Sequence, residues 1–365
     1  MRLAFPADAC CTRPVLPAVA GRTAVPYDDV VNIDQLVQRL SGFALFAQAN
    51  QVELVEFARR LTTRRVGPGE VLMRQGEVDP WFLVVIEGSV SITRQGKTRQ
   101  HDLGRCVPGS VLGELSMLTG NAHAATVTTV EEVVVAVGDG EAFDTMLHVT
   151  GVEDGLSAVT SKRLAESAAP VAVTTRHGLE LLFRPLLRSD RDQYLAELDA
   201  LAPESRRMRF FSAGRPSQRT IDYLININYL DHFAWGVTLA DSGRGVATAR
   251  YVRLADRSTA EVAFLVIDEY QGQGIGTLLL GALAAAAGNA GIETFTAEVL
   301  SENRGMRTVF DRAGAVWSRA GSGIVAASFP VSRAAQLLPE TLRTELRRSS
   351  RGIVTGAGIA KHAHH

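Results

Sequence analysis

The apolar residues near the start of the chain recur at the spacing of an amphipathic helix. Between 36 and 61 they form the set Phe43, Leu45, Phe46, Leu54, Phe57 and Leu61. From 66 to 137 the pattern changes to short runs of β-forming residues, such as 82–86 and 126–130, that are separated by glycine turns. Strands this short and this closely spaced predict a β-barrel or jelly roll. Helical spacing returns from 141 to 167, so helices should flank the barrel.

From 179 onwards, strand and helix patterns alternate along the chain. Strands are predicted at 179–185, 234–240, 247–254, 260–267 and 293–300, and helices at 190–201, 276–290 and 304–313. Further β runs continue to Pro330. This alternation predicts an α/β domain with a mixed sheet.

The chain of 365 residues is long enough for two such domains. We predict a flexible N-terminal extension at 1–30, the β-barrel domain at 31–150, a helix and linker at 151–178, the α/β domain at 179–330 and a polar tail at 331–365. The tail is predicted to be a solvated helix, with a docking segment as the alternative.

Composition narrows the function classes. The formal net charge is -1, with 38 Lys+Arg and 39 Asp+Glu, so the chain has no overall attraction to nucleic acid or to an anionic membrane. Its longest uncharged run, 270–292, holds an apolar stretch of only ten residues at 278–287, whereas a membrane span needs about 20. A buried helix is the better interpretation, and we expect neither a membrane nor a nucleic-acid partner.

The three cysteines, Cys10, Cys11 and Cys106, form no CxxC pair. The sequence therefore predicts no zinc site, no other metal site and no disulfide framework, and a reducing cytoplasm fits.

A segment with the chemistry of a phosphate site follows the barrel strands. It runs from Gly113 through Glu114 and Leu115 to the sequence Ala-Ala-Thr-Val at 124–127. A short helix that begins near Leu115 and Ser116 would direct free N–H groups at an anion, and Gly113 would let the backbone approach it closely.

Over about 35–150 the chain resembles cyclic-nucleotide-binding domains, whose phosphate cassette has these elements in this order. The resemblance implies a jelly-roll regulatory domain and cAMP as an allosteric ligand, held by Gly113, Glu114, Leu115, Ser116, His123 and Ala124. Glu114 would accept a hydrogen bond from the ribose 2′-hydroxyl. That family has an arginine where this chain has His123, and a neutral histidine lacks the charged fork of arginine. Three alternatives follow: weak binding, another ligand, or a cassette kept for packing.

A glycine-rich loop, Gln271 to Gly276, lies between a predicted strand and a helix, which is where phosphate groups bind. A dinucleotide site is the rival interpretation, but it needs an acidic residue at the end of the next strand. That strand, 295–300, instead leads into Asn303 and Met306. The two segments resemble motifs A and B of the GNAT family of N-acetyltransferases. The resemblance implies that acetyl-CoA contacts Leu265, Val266, Ile267, Gln271, Gly272, Gln273, Gly274, Ile275, Gly276, Thr277, Asn303 and Phe310.

Glu261 is the candidate catalytic residue. It lies on the strand before the loop, and alternation places Glu261 with Ala263 and Leu265 on one face. A carboxylate can remove the proton from an attacking amine, directly or through water. The alternative is an exposed glutamate without a catalytic role, although GNAT protein acetyltransferases of this type use a glutamate there. His232 is a second base candidate. Many members have a tyrosine general acid where this chain has Phe310, so water would supply that proton.

The two domains in this order resemble the mycobacterial cyclic-AMP-regulated protein lysine acetyltransferases. The resemblance covers about 35–330 and implies transfer of acetyl groups to lysines of proteins such as acyl-CoA synthetases, in the cytoplasm and under the control of cAMP. A transcription factor would need a helix-turn-helix after the first domain, which the sequence lacks. A small-molecule amine N-acetyltransferase with a vestigial or differently liganded sensor domain is the main alternative, and an acidic pocket would favour it.

Overall fold

The computed structural model describes residues 31–96 and 100–356. The predicted extension at 1–30 and the last residues of the predicted tail lie outside this part of the chain. The described residues fall into two units, which meet in the sequence between Leu156 and Ser157.

The first unit is a jelly roll of two four-stranded antiparallel sheets, with strand orders β1-β8-β3-β6 and β2-β7-β4-β5. Its strands are β1 Thr62–Val66, β2 Val71–Met73, β3 Phe82–Glu87, β4 Val90–Gln95, β5 Gln100–Cys106, β6 Val111–Leu112, β7 Thr126–Thr129 and β8 Val133–Gly138. Its helices are α1 Ile33–Ser41, α2 Gln51–Arg59, α3 Glu114–Thr119 and α4 Gly140–Leu147. Helix α5, Val152–Ser167, leads into the second unit. The predicted jelly-roll fold with flanking helices is confirmed.

Local sequence determines where the first helices begin. Asn32 and Asn50 each close a capping box, in which the side-chain oxygen accepts from the N–H of Gln35 (2.8 Å) and of Glu53 (3.0 Å). Strand β8 is buried along its whole length, as expected for a strand covered on both faces.

The second unit contains an eight-stranded mixed sheet with the order β15-β16-β14-β13-β12-β11-β10-β9. Its strands are β9 Val171–Thr174, β10 Glu180–Pro185, β11 His232–Leu239, β12 Gly245–Arg253, β13 Thr259–Val266, β14 Thr294–Leu300, β15 Val316–Gly321 and β16 Ile324–Pro330. Its helices are α6 Arg191–Ala200, α7 Pro203–Phe210, α8 Gln218–Ile225, α9 Ile275–Asn289, α10 Arg304–Arg312, α11 Val331–Ala335 and α12 Glu340–Val354. The predicted mixed α/β fold is confirmed.

The central strands β13 and β14 run parallel but pair over only a short distance. The paired residues are Thr259 with Thr294, Ala260 with Phe295, and Glu261 with Thr296. Beyond this point β13 stays paired to β12, and β14 stays paired to β16. The facing edges of β13 and β14 therefore separate after Glu261, and the sheet opens between them.

Helix α9 is the central helix of the second unit. Its residues from Leu279 to Ala287 are buried, and the Trp235 indole donates to the Ala282 carbonyl oxygen over 3.0 Å. A side chain at Gly281 would lie 2.4 Å from Leu338 Cγ, so only glycine permits this packing. The predicted buried helix is thus observed. Among the described residues, no helix is long and apolar enough to cross a membrane.

Two segments differ from the expected pattern. The predicted linker includes strand β9, which joins the sheet through β10. The described part of the predicted polar tail forms α11 and α12, and α12 packs on α9. Charged residues cover one face of α12, but Leu346, Ile353 and Val354 recur at helical spacing on the other and are buried. The second unit therefore extends through 331–354.

We expect Glu197 on α6 to make the stability of the second unit depend on pH. Its Oε1 lies so close to Gly245 that a Cβ there would be 1.5 Å away. Burial raises the pKa of Glu197 from 4.5 to about 7, opposed by a hydrogen bond from Gln193 and the charge of Arg184. Between pH 4.5 and about 7, the folded state keeps a proton on Glu197 that the unfolded state has lost. The free energy of unfolding should therefore fall as the pH rises through this interval.

Glutamine at this position cannot ionise. We expect E197Q to lose less of its melting temperature between pH 5 and pH 8 than the unsubstituted protein loses, as measured by calorimetry. Asp199→Asn, which removes an exposed carboxylate from the same helix, should keep the original pH dependence. Equal slopes for E197Q and the unsubstituted protein would contradict this prediction.

Candidate functional site

The opening between β13 and β14 forms a cleft of about 500 Å³ in the second unit, within the usual size range of ligand pockets. One wall is β13 from Glu261 to Val266, and the loop that follows closes one end. Helices α10 and α7 and the outer part of β14 complete the lining.

The glycine-rich loop has the backbone geometry of an anion site. Gly272 and Gly274 have φ of 76° and 82°, which only glycine adopts without strain. A Cβ at either residue would meet no atom within 4 Å, so the space beside the loop is open. The first bonds of α9 run from the N–H groups of Thr277 and Leu278 to the Gly274 carbonyl. The N–H groups before them have no partner within the helix, as at any helix start.

Ten of the twelve residues predicted to contact the cofactor line this cleft. They are Leu265, Val266, Gln271, Gly272, Gly274, Ile275, Gly276, Thr277, Asn303 and Phe310. The structure does not bring Ile267 or Gln273 to the cleft. Ile267 is buried and donates its N–H to the Val246 carbonyl (2.9 Å), and the amide of Gln273 reaches back to the Glu269 carbonyl (3.4 Å).

Several lining side chains hold the walls of the cleft. The Gln271 amide donates to the Val266 carbonyl (3.1 Å) and so ties the loop to β13. Asn303 caps α10 by accepting from the Met306 N–H (3.1 Å). Phe310 is buried against Phe264 and Phe329, with ring centroids 5.8 and 5.0 Å apart. Asn303 therefore holds the start of α10, and Phe310 forms an apolar wall.

Arg312 was missed by the sequence analysis. Its guanidinium donates to the Thr277 hydroxyl over 3.0 Å, at the first turn of α9. This places a positive charge beside the open N–H groups of the glycine-rich loop, and such a charge favours an anion there.

Glu261 is exposed and lines the cleft at the point where β13 and β14 separate. Its neighbours Ala260 and Val262 are buried, in agreement with the predicted alternation. His232, the second base candidate, is buried, and its Nε2 accepts from Arg250 (3.2 Å). Burial and the charge of Arg250 lower the pKa of His232 to about 3, so this imidazole is a very weak base.

Helix α7 is a second feature that the sequence analysis missed. At its start, Asp268 accepts from the Ala202 N–H (2.8 Å) and from the Ser205 hydroxyl. Further along, Arg207 pairs with Glu302, which follows β14. The helix therefore spans from the end of β13 to the end of β14 and contributes lining side chains at Ser205, Met208 and Arg209. Pro203 at its first position is the sequence signal for the start of this helix.

The residues of the predicted nucleotide cassette lie in and around α3 in the first unit. Gly113 precedes the helix with a φ of 89°, and a Cβ there would lie 2.8 Å from the Trp81 carbonyl oxygen. Glu114 is buried, Leu115 is half-buried and Ala124 is exposed.

His123 is directed into the protein. Its Nδ1 lies 2.8 Å from the Ser116 hydroxyl, and its Nε2 lies 4.0 Å from an Asp79 carboxylate oxygen. Burial lowers the pKa of His123, and the charges of Asp79, Glu77 and Glu114 oppose this shift. The imidazole is therefore neutral at pH 7, and its Nε2 has no hydrogen-bond partner among the described residues.

Comparison with known proteins decides the family. A cyclic nucleotide-binding domain model matches residues 63–149, and an acetyltransferase (GNAT) domain model matches 180–316. The acetyltransferase Pat of Mycolicibacterium smegmatis is 36% identical over 287 residues, which cover 78% of this chain and 86% of that protein. The chain belongs to the Pat acetyltransferase family. It is an N-acetyltransferase that carries a cyclic nucleotide-binding domain.

Solved structures of the Pat family are also similar. The cAMP-binding acyltransferase from Mycobacterium smegmatis is 31% identical, covers 89% of this chain and 98% of its own, and has a TM-score of 0.45. The GNAT domain of S. lividans PAT is 32% identical over 44% of this chain and 96% of its own, with a TM-score of 0.42.

The residues of the cleft fit acetyl-CoA, the co-substrate of GNAT enzymes. The open space beside Gly272 and Gly274, the free helix-start N–H groups and the nearby Arg312 together suit a pyrophosphate. The similar acyltransferase from Mycobacterium smegmatis is cAMP-binding. The cyclic-nucleotide-binding domains that the first unit resembles have an arginine where this chain has His123.

The identity of residue 123 should therefore control cAMP affinity. Arginine supplies a permanent charge, and a charge-assisted hydrogen bond contributes roughly 1.5–3 kcal/mol. We expect H123R to bind cAMP about 10- to 100-fold more tightly at pH 7.5, as measured by calorimetry.

The pH dependence of cAMP affinity gives a second test of the role of residue 123. Burial lowers the pKa of His123 below 6.5, so the imidazole gains its positive charge only when the pH falls below that value. The unsubstituted protein should therefore bind cAMP more tightly as the pH falls below 6.5. H123R should show little pH dependence between 5.5 and 8, since its charge does not titrate there. Equal affinities for the two proteins, or equal pH profiles, would show that residue 123 does not contact the phosphate.

Proposed function

We propose that this protein transfers the acetyl group of acetyl-CoA to the ε-amine of lysine residues in other proteins, and that cAMP binding to the first unit regulates this transfer. The observation that carries the proposal is the position of Glu261. Its exposed carboxylate lies where β13 and β14 separate, on the same cleft as the glycine-rich loop. The membership of the Pat family supports the regulatory part.

The loop from Gly272 to Thr277 would hold the pyrophosphate of acetyl-CoA, with Arg312 nearby. The open edge of β13 at Leu265 and Val266 would face its pantetheine arm. When bound, the co-substrate supplies an activated thioester. The apolar wall that includes Phe264 and Phe310 keeps water from that part of the cleft.

Glu261 would then take the proton from the amine, directly or through a water molecule. The amine nitrogen forms the new bond to the acetyl carbon, and the bond from that carbon to sulfur breaks. The departing thiolate needs a proton, but position 310 on α10 is phenylalanine. Water would supply this proton, since the cleft is open to solvent beside Glu261.

The charge of the cleft does not favour a small polyamine as the acceptor. The charged side chains that line it, within the described residues, are Glu261 and Glu298 together with Arg209 and Arg312. Two acids balanced by two arginines do not make the acidic pocket that a polycation would need. Acyl-CoA synthetases as substrates and a cytoplasmic location stay predictions from the family resemblance.

The test is transfer from labelled acetyl-CoA in a lysate of protein and small molecules, with and without cAMP. We expect label on protein lysines, faster labelling with cAMP, and labelling by E261Q that is slower by ~10²-fold or more. Label found only in small amines would overturn the protein-lysine assignment. Equal protein labelling with and without cAMP would overturn the regulatory part alone.

A further inference from the structure

Arg209 is a positive charge on the wall of the cleft. It lies on α7 and lines the same cavity as Glu261. Its side chain is half-buried, and its guanidinium carbon lies 4.9 Å from the centre of the Phe210 ring. Among the described residues it forms no ion pair with a carboxylate within 4.0 Å, although Glu261 is close enough to attract it electrostatically. The charge of Arg209 is thus only partly balanced.

Within the described part of the chain, the groups that act electrostatically on Arg209 are Tyr194 on α6, Arg250 on β12 and Glu261 on β13. Arg250 is buried and bonded to neutral partners, since it donates to the Leu224 carbonyl (2.7 Å) and to His232 (3.2 Å). At this end of the cleft, the positive charges of Arg209 and Arg250 therefore outnumber the negative charge of Glu261.

Arg209 remains charged at neutral pH. Burial and the repulsion from Arg250 lower its pKa to about 10, which is still well above 7, while Tyr194 and Glu261 oppose this shift. An amine that enters beside Glu261 therefore meets a fixed positive charge.

The positive charge of Arg209 bears on the protonation state of the lysine amine in the reaction. The lysine amine attacks only when it is neutral, yet its ordinary pKa is about 10.4. A neighbouring cation destabilises the ammonium form and lowers the pKa of the amine, in a site with less water than bulk solvent. The reactive, neutral form of the amine is therefore populated at lower pH.

We propose that the guanidinium of Arg209 favours the neutral, nucleophilic form of the lysine amine that approaches Glu261. This role rests on the proposed function, because it needs an amine acceptor at that end of the cleft. Arg209 is then a specificity-determining residue, which suits the cleft to strongly basic amines. Weakly basic amines, which are already neutral, gain little from it.

The experiment measures kcat against pH for a lysine peptide at saturating acetyl-CoA, because kcat reports ionisations in the bound complex. We expect the apparent pKa of the rising limb to move up by about one unit in R209Q, which is about a tenfold loss of kcat at pH 7. The loss should disappear above the new apparent pKa. R209K should keep the original profile, because it retains the charge.

Two controls separate this role from a structural one. Arg206→Gln removes the same charge from the same helix but does not line the cleft, so its profile should match the original. A peptide whose lysine is replaced by a less basic amine, thialysine, should show a smaller R209Q defect. Acetyl-CoA affinity and melting temperature of R209Q should stay unchanged.

The outcomes are distinguishable. A profile for R209Q that equals the original, or a loss of kcat of the same size at every pH and for both amines, would overturn the role of Arg209. Absence of lysine acetylation by the unsubstituted protein would instead overturn the proposed function.

Discussion

Replacing Gly274 with valine should remove measurable acetyl-CoA binding, a loss of at least about 100-fold in calorimetry. Gly274 has a φ of 82° directly before α9, and an added Cβ would meet no protein atom within 4 Å. The new side chain would therefore project into the open space beside the loop, where we place the pyrophosphate. The left-handed conformation also disfavours a β-branched residue by about 1–3 kcal/mol.

A matched control separates these two effects. Gly291, which follows α9, has a φ of 73° and also has no atom within 4 Å of an added Cβ, but it does not line the cleft. G291V should show a similar fall in melting temperature and normal acetyl-CoA affinity. If G274V binds acetyl-CoA as well as G291V does, the cofactor binds elsewhere.

The elements beside the cleft were predictable because their signals are local. Strand β13 was predicted at 260–267 and spans Thr259–Val266, and helix α9 was predicted at 276–290 and spans Ile275–Asn289. An apolar run, a glycine-rich loop and an alanine-rich segment each determine the conformation of their own part of the backbone. The separation of β13 and β14 was not predictable in this way, because strand pairing depends on residues that are distant in the sequence.

Helix α7 could not be placed beside the cleft from local sequence patterns. It is polar, and none of its residues is fully buried. Its position depends on Asp268 and Glu302, which lie 66 and 95 residues from their partners in the chain. Arg209 was therefore absent from the predicted site, although it lies in the same cleft as Glu261.

His123 illustrates the same limit in the first unit. The sequence showed that a histidine stands in place of the family's arginine, and it left three alternatives: weak binding, another ligand, or a cassette with only a structural role. It did not show that the imidazole is directed toward Ser116 and near Asp79, because burial of a side chain is set by the surrounding fold. Burial of the imidazole lowers the pKa of His123, and the charge of Asp79 opposes this shift.

Glu261→Gln should lower kcat by ~10²-fold or more, the usual loss when a general base is removed. Glutamine has nearly the same shape but accepts no proton at neutral pH. Acetyl-CoA affinity should change by only a few-fold, because Glu261 lies at the point of strand separation, away from the loop at 272–277. Its exposed position also means that the fold should be unaffected.

The dependence of kcat on pH and a second variant test the role of Glu261 as the base. The limb of the kcat profile that depends on the carboxylate should be absent in E261Q, so that its residual rate follows only the ionisation of the amine. Glu298→Gln removes the other acid that lines the cleft, on β14, and should keep nearly normal turnover. A large loss in E298Q together with normal turnover in E261Q would transfer the role of the base to Glu298, because both carboxylates face the same cavity.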